Sequence, residues 1–321
     1  MALTFSVPDT ELSLNLHNRR NEIIDQVFQG TAYMNALSSF GGVKMESGGQ
    51  ELVTPLRMSK NSTAGSFSGY DILDTTPQDN QTSMRTPWSY NSATVAVAWT
   101  ETLKNAGRGK LIDWVRTKTD DAMMALRDKL NVQLLQAQPA AGSKDPNSIT
   151  EIIAGDPSTD PARTTAIGSV GNANTWWRNK ATSGGSFTTA DMVSMYNDVS
   201  DGQDFPTFLL TSSTIHEYYE NSLTDLIRYE GGRTGDQGFT DLLFKKTPIV
   251  WDPQIGNTDE IYFINTKYFK LVIHSDGDFV TTDFIEPDNQ AAKVAKILWA
   301  GNQECSNRRR CGTLHGITAP A

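Results

Sequence analysis

The stretch "KNSTAGSFSGYDILDTTPQDNQTSMRTPWSY", Lys60 to Tyr90, decides how this chain is read. Ser, Thr, Asn, Asp, Gly and Pro dominate it, and these residues favour turns over ladders. On its N-terminal side lies "QELVTPLRMS", an extended-looking run. On its C-terminal side, "NSATVAVAWTETL" sets Val95, Val97 and Trp99 against Thr94, Ala96 and Ala98, the two-residue period of a half-buried strand. A polar loop is therefore held between two strands in a chain that otherwise reads as compact. Loops beyond about 12–15 residues are uncommon in compact domains and either serve a function or stay disordered. Ordering this one costs roughly 1–2 kcal/mol per residue in backbone entropy. Phe67, Tyr70, Ile72, Leu73 and Trp88 punctuate it as apolar anchors, with little of their own domain to rest on. A neighbouring copy of the chain is the natural support; a mobile surface loop is the competing reading.

Composition bounds the rest. The chain has 321 residues, 38% hydrophobic and 9% aromatic, enough for a real core and for two moderate domains or one large one. A formal net charge of -9 argues against a surface that coats nucleic acid. The basic patches "HNRR" (17–20) and "NRRR" (307–310) read first as solvated turns or ion-pair partners. The first twenty residues form no apolar signal region, and no run reaches the roughly 18 apolar residues of a membrane helix, so a soluble protein made in the cytosol is expected. Cys305 and Cys311 in "ECSNRRRCG" lack the short spacing of zinc or redox motifs and read as reduced thiols on facing arms of a hairpin, with a late disulfide as the alternative.

Residues 1–40 read as an arm with a short helix around Ile23, Ile24, Val27 and Phe28, and "SFGGVKMESGGQ" (39–50) as a flexible link. Leu111, Val115, Ala122, Leu126 and Leu130 recur at helical spacing between Leu111 and Gln138, predicting a rod of about 40 Å at 1.5 Å per residue. Residues 139–190 look loop-rich and carry the Trp176–Trp177 pair. "FTTADMVSMYNDV" predicts a helix capped by Thr188 or Thr189, "DFPTFLLTSS" a buried strand, and "STIHEYYENSLTDLIRY" a further helix. Strands follow in "KKTPIVWDPQ", "EIYFINTKYFKLVIHS" and "DFVTTDFIEP", and the chain closes on two strands around "SNRR". Helices and strands mix without regular alternation, so the class is α+β.

Chemistry is sparse. His17, His216, His274 and His315 form no metal or nucleophile motif; His216 reads as a surface or interfacial histidine. "GGRTGDQG" (231–238) is a loop without the lysine of a phosphate-binding loop, and Asp276 and Asp278 in "HSDGDF" read as a turn, lacking the further carboxylates of a calcium loop. Trp176, Trp177, Trp251 and Asp252 could serve a carbohydrate site, but glycoside hydrolysis needs a second carboxylate that nothing pairs with Asp252. No catalytic residue, cofactor or metal is assigned, and the chain reads as a non-enzyme.

An arm, a long loop between strands, a rod-like helix and a mixed region ending in strands coincide in this order. The wording of "WSYNSATVAVAWTETLKNAGRGKLIDWVRTKTDDAMMALRDKL", "GSVGNANTWWRN", "DFPTFLLTSSTIHEYYENSLTDLIRYE", "FKKTPIVWDPQIGNTDEIYFINTKYFKL" and "NRRRCGTLHGI", along most of 85–317, resembles the major capsid proteins of tailed bacteriophages with the Hong Kong 97-type fold. That resemblance implies an N-terminal arm (1–40), an extended loop with flanking strands (41–103), a peripheral domain with a spine helix (104–145), an axial domain (146–285) and strands returning to the peripheral domain (286–321). It implies self-assembly into hexameric and pentameric capsomers of an icosahedral head, located in the virion and assembled in the host cytoplasm. Portal, scaffolding and decoration proteins are implied as partners, with packaged double-stranded DNA touched non-specifically and no membrane. No long scaffolding-like segment precedes the arm, implying a separate scaffold or none. Crosslinked relatives join a loop lysine to an asparagine; only Lys60 stands near this loop, and no crosslink is expected. Contact candidates between copies are Phe67, Tyr70, Ile72, Leu73, Trp88, Trp176, Trp177, Arg228, Arg308 and Arg309. An encapsulin-like nanocompartment shell is the first rival, and a carbohydrate-active or carbohydrate-binding protein is the rival from another class.

Overall fold

The computed structural model describes residues 31–104, 114–136, 143–159, 166–223, 242–288 and 290–320. The helix expected around Ile23–Phe28, the loop 231–238 and Arg228 lie outside the described residues. In chain order the elements are α1 (Ala32–Ser39), β1 (Val43–Glu46), β2 (Glu51–Arg57), β3 (Gln81–Pro87), β4 (Ser89–Ala98), α2 (Trp99–Lys104), α3 (Trp114–Leu135) and α4 (Ile149–Ile152). Then come β5 (Lys180–Ser186), α5 (Thr189–Val199), β6 (Phe208–Thr211), α6 (Ser213–Ser222), β7 (Leu243–Phe244), β8 (Thr247–Trp251), β9 (Ile261–Ile264), β10 (Phe269–His274), β11 (Val280–Thr281), β12 (Ala292–Cys305) and β13 (Gly312–Thr318).

Two sheets and a ribbon result. In the first sheet, β12 serves two partners: Ala292–Gly301 pairs antiparallel with β4, and Gly301–Cys305 antiparallel with β10. Parallel β1 extends β10, and β11 adds to β12. The sequence shows why β12 divides its work. Ala295, Ile297 and Trp299 are buried while Lys296 and Leu298 are exposed, whereas Gly301 to Cys305 are all buried. The second sheet runs β5-β13-β9-β6-β8-β7. Its central strands β6 and β9 are buried at every residue, as continuous apolar runs covered on both faces should be. Leu209 and Phe263 face Met192, Met195 and Ile215 from α5 and α6, while Leu210 and Tyr262 face Leu130 and Leu134 of α3. Thr188 caps α5, its side chain accepting from Asp191 N.

Several expectations change. The "flexible link" 39–50 holds β1, because Gly42 O accepts from Leu271 N and starts a parallel rung. Residues 32–39, read as part of the arm, are a helix with Tyr33 and Leu37 wholly buried. "KATSGGS" is strand β5, not loop. The last two strands are not a hairpin: β12 belongs to the first sheet and β13 to the second. The rod is Trp114–Leu135, about 33 Å at 1.5 Å per residue. Divisions at 145/146 and 285/286 do not coincide with the sheets, since Phe269–His274 sits in the first and Gly312–Thr318 in the second. No helix among the described residues is long and apolar enough to cross a membrane.

Candidate functional site: an outstretched loop and the groove at its root

The loop is shorter than the sequence suggests, because β3 pairs with β2 from Glu51↔Pro87 to Arg57↔Gln81 and continues the chain into β4. That ribbon spans roughly 20–24 Å at 3.4 Å per residue. Its inner face is anchored on its own chain. Leu56 and Met84 bury against Val170 and Trp177, and Arg85 N donates to Gly168 O at 3.0 Å. Gly168 is required there: its φ is +65° and a Cβ would lie 2.3 Å from Met84 Cγ.

Past the last rung, where Met58 N donates to Asn80 O at 3.0 Å, the loop loses that support. Among the described residues, its hydrogen bonds run only to itself: Ser59 to Asn80, Ser62 to Gln78, Ser68 N to Asp71, and Thr76 to Asp74. The Thr76 hydroxyl and amide hold the Asp74 carboxyl below the usual carboxylate range. Tyr70 and Ile72 are fully exposed, Phe67 is 67% exposed and Leu73 57%. Isolated exposed apolar residues are unremarkable on a surface; here four large ones stand exposed within seven residues.

At the loop-side end of the ribbon, where the loop begins, lies a groove of about 700 Å³, lined by the outer end of β2, the Trp176–Lys180 segment, the end of α5, Tyr268 and the turn before β13. Four basic side chains, Arg57, Lys180, Arg309 and Arg310, face two carboxylates, Asp198 and Asp201. Arg310 is paired with Asp201. Just outside, Lys267 and Tyr268 bind Asp204 and hold its carboxyl low. A second hollow of about 670 Å³ is apolar, lined by Val97, Trp99, Val115, Phe284, Ala291 and Ala292, with Lys293 and Glu286 at 3.7 Å on its rim. Neither hollow was legible in the sequence, since each gathers residues from segments far apart in the chain.

The contact candidates divide. Phe67, Tyr70, Ile72 and Leu73 are exposed at the loop, Arg309 is exposed in the groove, and Trp176 is half-buried there. Trp88 leaves the loop: it stands between β3 and β4, donating Nε1–H to Gly49 O at 2.9 Å, with its ring centre 5.3 Å from that of His274 in an edge-on arrangement. Trp177 is core, donating to Ile167 O at 3.2 Å. Arg308 is also core. Its guanidinium donates to Ile152 O at 2.7 Å and to Asn172 and Asn179 at 3.3 Å, and lies over the Trp177 ring. Its neighbour Arg309 turns outward because the short 3-10 turn Arg308–Arg310 points successive side chains in different directions.

The rival chemistry loses its acid, although Trp251 is exposed. Asp252 is wholly buried and accepts from Tyr33 N, Asn131 Nδ2 and Gln254 N, so it braces the fold rather than facing a sugar. His216 is buried, not superficial, and burial lowers its pKa. Cys305 and Cys311 are free buried thiols with sulfurs 4.0 Å apart, and burial pushes the Cys305 thiol up. Gly277 N donates to His274 O at 3.0 Å, closing the turn expected at Asp276–Asp278, and no described cluster of His, Cys, Asp and Glu could hold a metal.

Beneath the ribbon, burial pushes the Glu304 carboxyl above the usual range; Lys44 opposes this and Glu46 adds to it. The folded chain therefore holds a proton that the unfolded chain releases, and stability is lost as pH rises from the ordinary glutamate pKa, about 4.3, through the folded value. Glu304→Gln is expected to raise the melting temperature at pH 7 and to leave it unchanged at pH 4, as a calorimetric pH series would show.

No protein-family model matches the sequence, and no curated protein matches it. Solved structures do. A chain of the cyanophage A-1(L) capsid asymmetric unit is similar over 94% of this chain and 97% of its own, at 13% identity and TM-score 0.69. The capsid of the empty GTA particle matches over 99% and 100%, at 9% identity and TM-score 0.61. The holo-SrpI encapsulin complex from Synechococcus elongatus PCC 7942 matches over 99% and 96%, at 10% identity and TM-score 0.59. The chain has the Hong Kong 97-type capsid fold along nearly its whole length.

Proposed function

We propose that this chain is the major capsid protein of an icosahedral phage head, assembling with itself into hexameric and pentameric capsomers around double-stranded DNA. The observation that carries the reading is the loop: a chain with a capsid fold holds four large apolar side chains in water at the end of a two-stranded ribbon. Their burial needs another molecule, and one weak contact repeated around a closed lattice gives a stable shell. In this reading the second sheet with α5 and α6 is the axial domain, and α3 with the first sheet is the peripheral domain. The loop and the arm lie on neighbours, and portal, scaffolding and decoration proteins complete the particle. A net charge of -9 suits a wall that encloses DNA without gripping it. The shell needs no chemical step. The encapsulin-like reading keeps one specific support, the similarity to the holo-SrpI encapsulin complex.

Sedimentation and negative-stain microscopy of the purified protein test the proposal. Closed shells or capsomers are expected; a monomer of about 35 kDa at every concentration and salt would overturn it. Double-stranded DNA recovered from native particles then separates a phage head from an enzyme-filled compartment.

A further inference from the structure

We propose that the groove at the root of the loop receives the loop tip of a second copy of this chain, taking the segment "FSGYDILD" (67–74) by its aromatic, aliphatic and carboxylate side chains. The inference rests on the shell reading and adds where the loop binds. Charge is the first argument. Arg57, Lys180 and Arg309 have no ion-pair partner among the described residues, so three cations stand unpaired in one concavity of a chain carrying -9. The loop holds the opposite set: over 58–80 its charged residues are Lys60, Asp71, Asp74 and Asp79, and none forms an ion pair among the described residues. Copies of an acidic chain repel one another, and cations collected at one place meet the carboxylates of the approaching tip.

Shape and polarity are the second argument. Met58, Trp176 and Tyr268 place apolar and aromatic surface among the polar groups that make up most of the groove, and about 700 Å³ admits a few large side chains of the tip rather than the whole segment. Phe67, Tyr70, Ile72 and Leu73 are the side chains in need of such surface. Nucleic acid is the weaker occupant. Binding it would leave the loop's exposed apolar residues bare. Because donor and acceptor differ and sit on one chain, the contact is head-to-tail and propagates from copy to copy until a ring closes.

Charge exchange tests it. Arg57→Glu with Arg309→Glu, and separately Asp71→Lys with Asp74→Lys, are each expected to cut the assembled fraction by about tenfold at low salt. Combining all four is expected to restore it to within about threefold of the parent, which only a direct contact between the two sets produces. Near-ultraviolet circular dichroism of each unassembled protein checks folding; should a reversal unfold the chain, the Arg57→Gln and Arg309→Gln pair replaces it, with loss of assembly still expected. A fourfold variant no better than its worse half would overturn the proposal. So would groove variants that assemble normally, including any that shed only bound nucleic acid. A parent that never assembles sinks the shell reading itself, a result distinct from both.

Discussion

Replacing Ser62–Gln78 with a two-glycine link is expected to abolish particle formation while the isolated subunit melts within about 2 °C of the parent, a shift worth roughly 1 kcal/mol in a chain of this size. The excision is structurally clean. Ser62 Oγ lies 2.9 Å from Gln78 Oε1, so the ends to be joined already meet, and the ribbon's last rung at Met58–Asn80 is left in place. No core residue is removed, since every apolar side chain in the excised stretch is exposed. A wider cut, Ser62–Thr86, is the one the sequence suggests, and the structure shows why it would mislead. It removes β3, strips Met84 from its contact with Leu56, Val170 and Trp177, and destabilises the subunit for reasons unrelated to assembly. Calorimetry of the subunit with microscopy of assembly mixtures reads both halves of the expectation. A short-loop variant that still closes shells would make the loop decorative. One that unfolds would place it in its own core.

The contrast between the two cuts shows how far the sequence carried. Strong local periodicity survived: Val95 and Val97 in β4, the Leu126–Leu130–Leu134 stripe of α3, the Thr188 cap and the unbroken apolar run of β6 are where pattern placed them. Elements held by distant partners were illegible. "VKME" and "KATSGGS" have polar, glycine-flanked sequences, and they become strands because β10 and β13 offer them parallel edges. "QTSMRTP" reads as loop for the same reason, yet it pairs with β2 residue for residue. The site followed this division. Exposed anchors within one segment, Phe67 to Leu73, were readable as a group, whereas Arg57, Lys180 and Arg309 meet only after the chain has folded. Trp177 and Arg308 show the converse error: residues conspicuous by type were assigned to contacts, while the fold spends them on its interior.

Asp252 gives that last lesson its sharpest test, because one reading makes it a catalytic acid and the structure makes it a brace. Its carboxylate accepts from Tyr33 N at 3.0 Å, from Asn131 Nδ2 at 3.2 Å and from Gln254 N at 2.9 Å. Those donors belong to α1, to α3 and to the turn after β8, so one buried anion ties the first helix and the rod to the second sheet. Alanine would leave Tyr33 N and Gln254 N buried without this acceptor, each at roughly 1–3 kcal/mol, and Asn131 Nδ2 with Gln254 Oε1 alone. Asp252→Ala is therefore expected to destabilise the subunit by about 3 kcal/mol or more, lowering its melting temperature by about 4–5 °C or more. Asp252→Asn is expected to recover little. An amide keeps one acceptor oxygen and turns an N–H₂ toward neighbours that are themselves donors, so at least one donor stays unmet and another meets like against like. A solvent-facing acid behaves in the opposite way, with Asn nearly isosteric and stability untouched. Urea unfolding of the parent and both variants distinguishes the two. Equal stability across the three would mean that the carboxylate does not hold α1 and α3 against the second sheet.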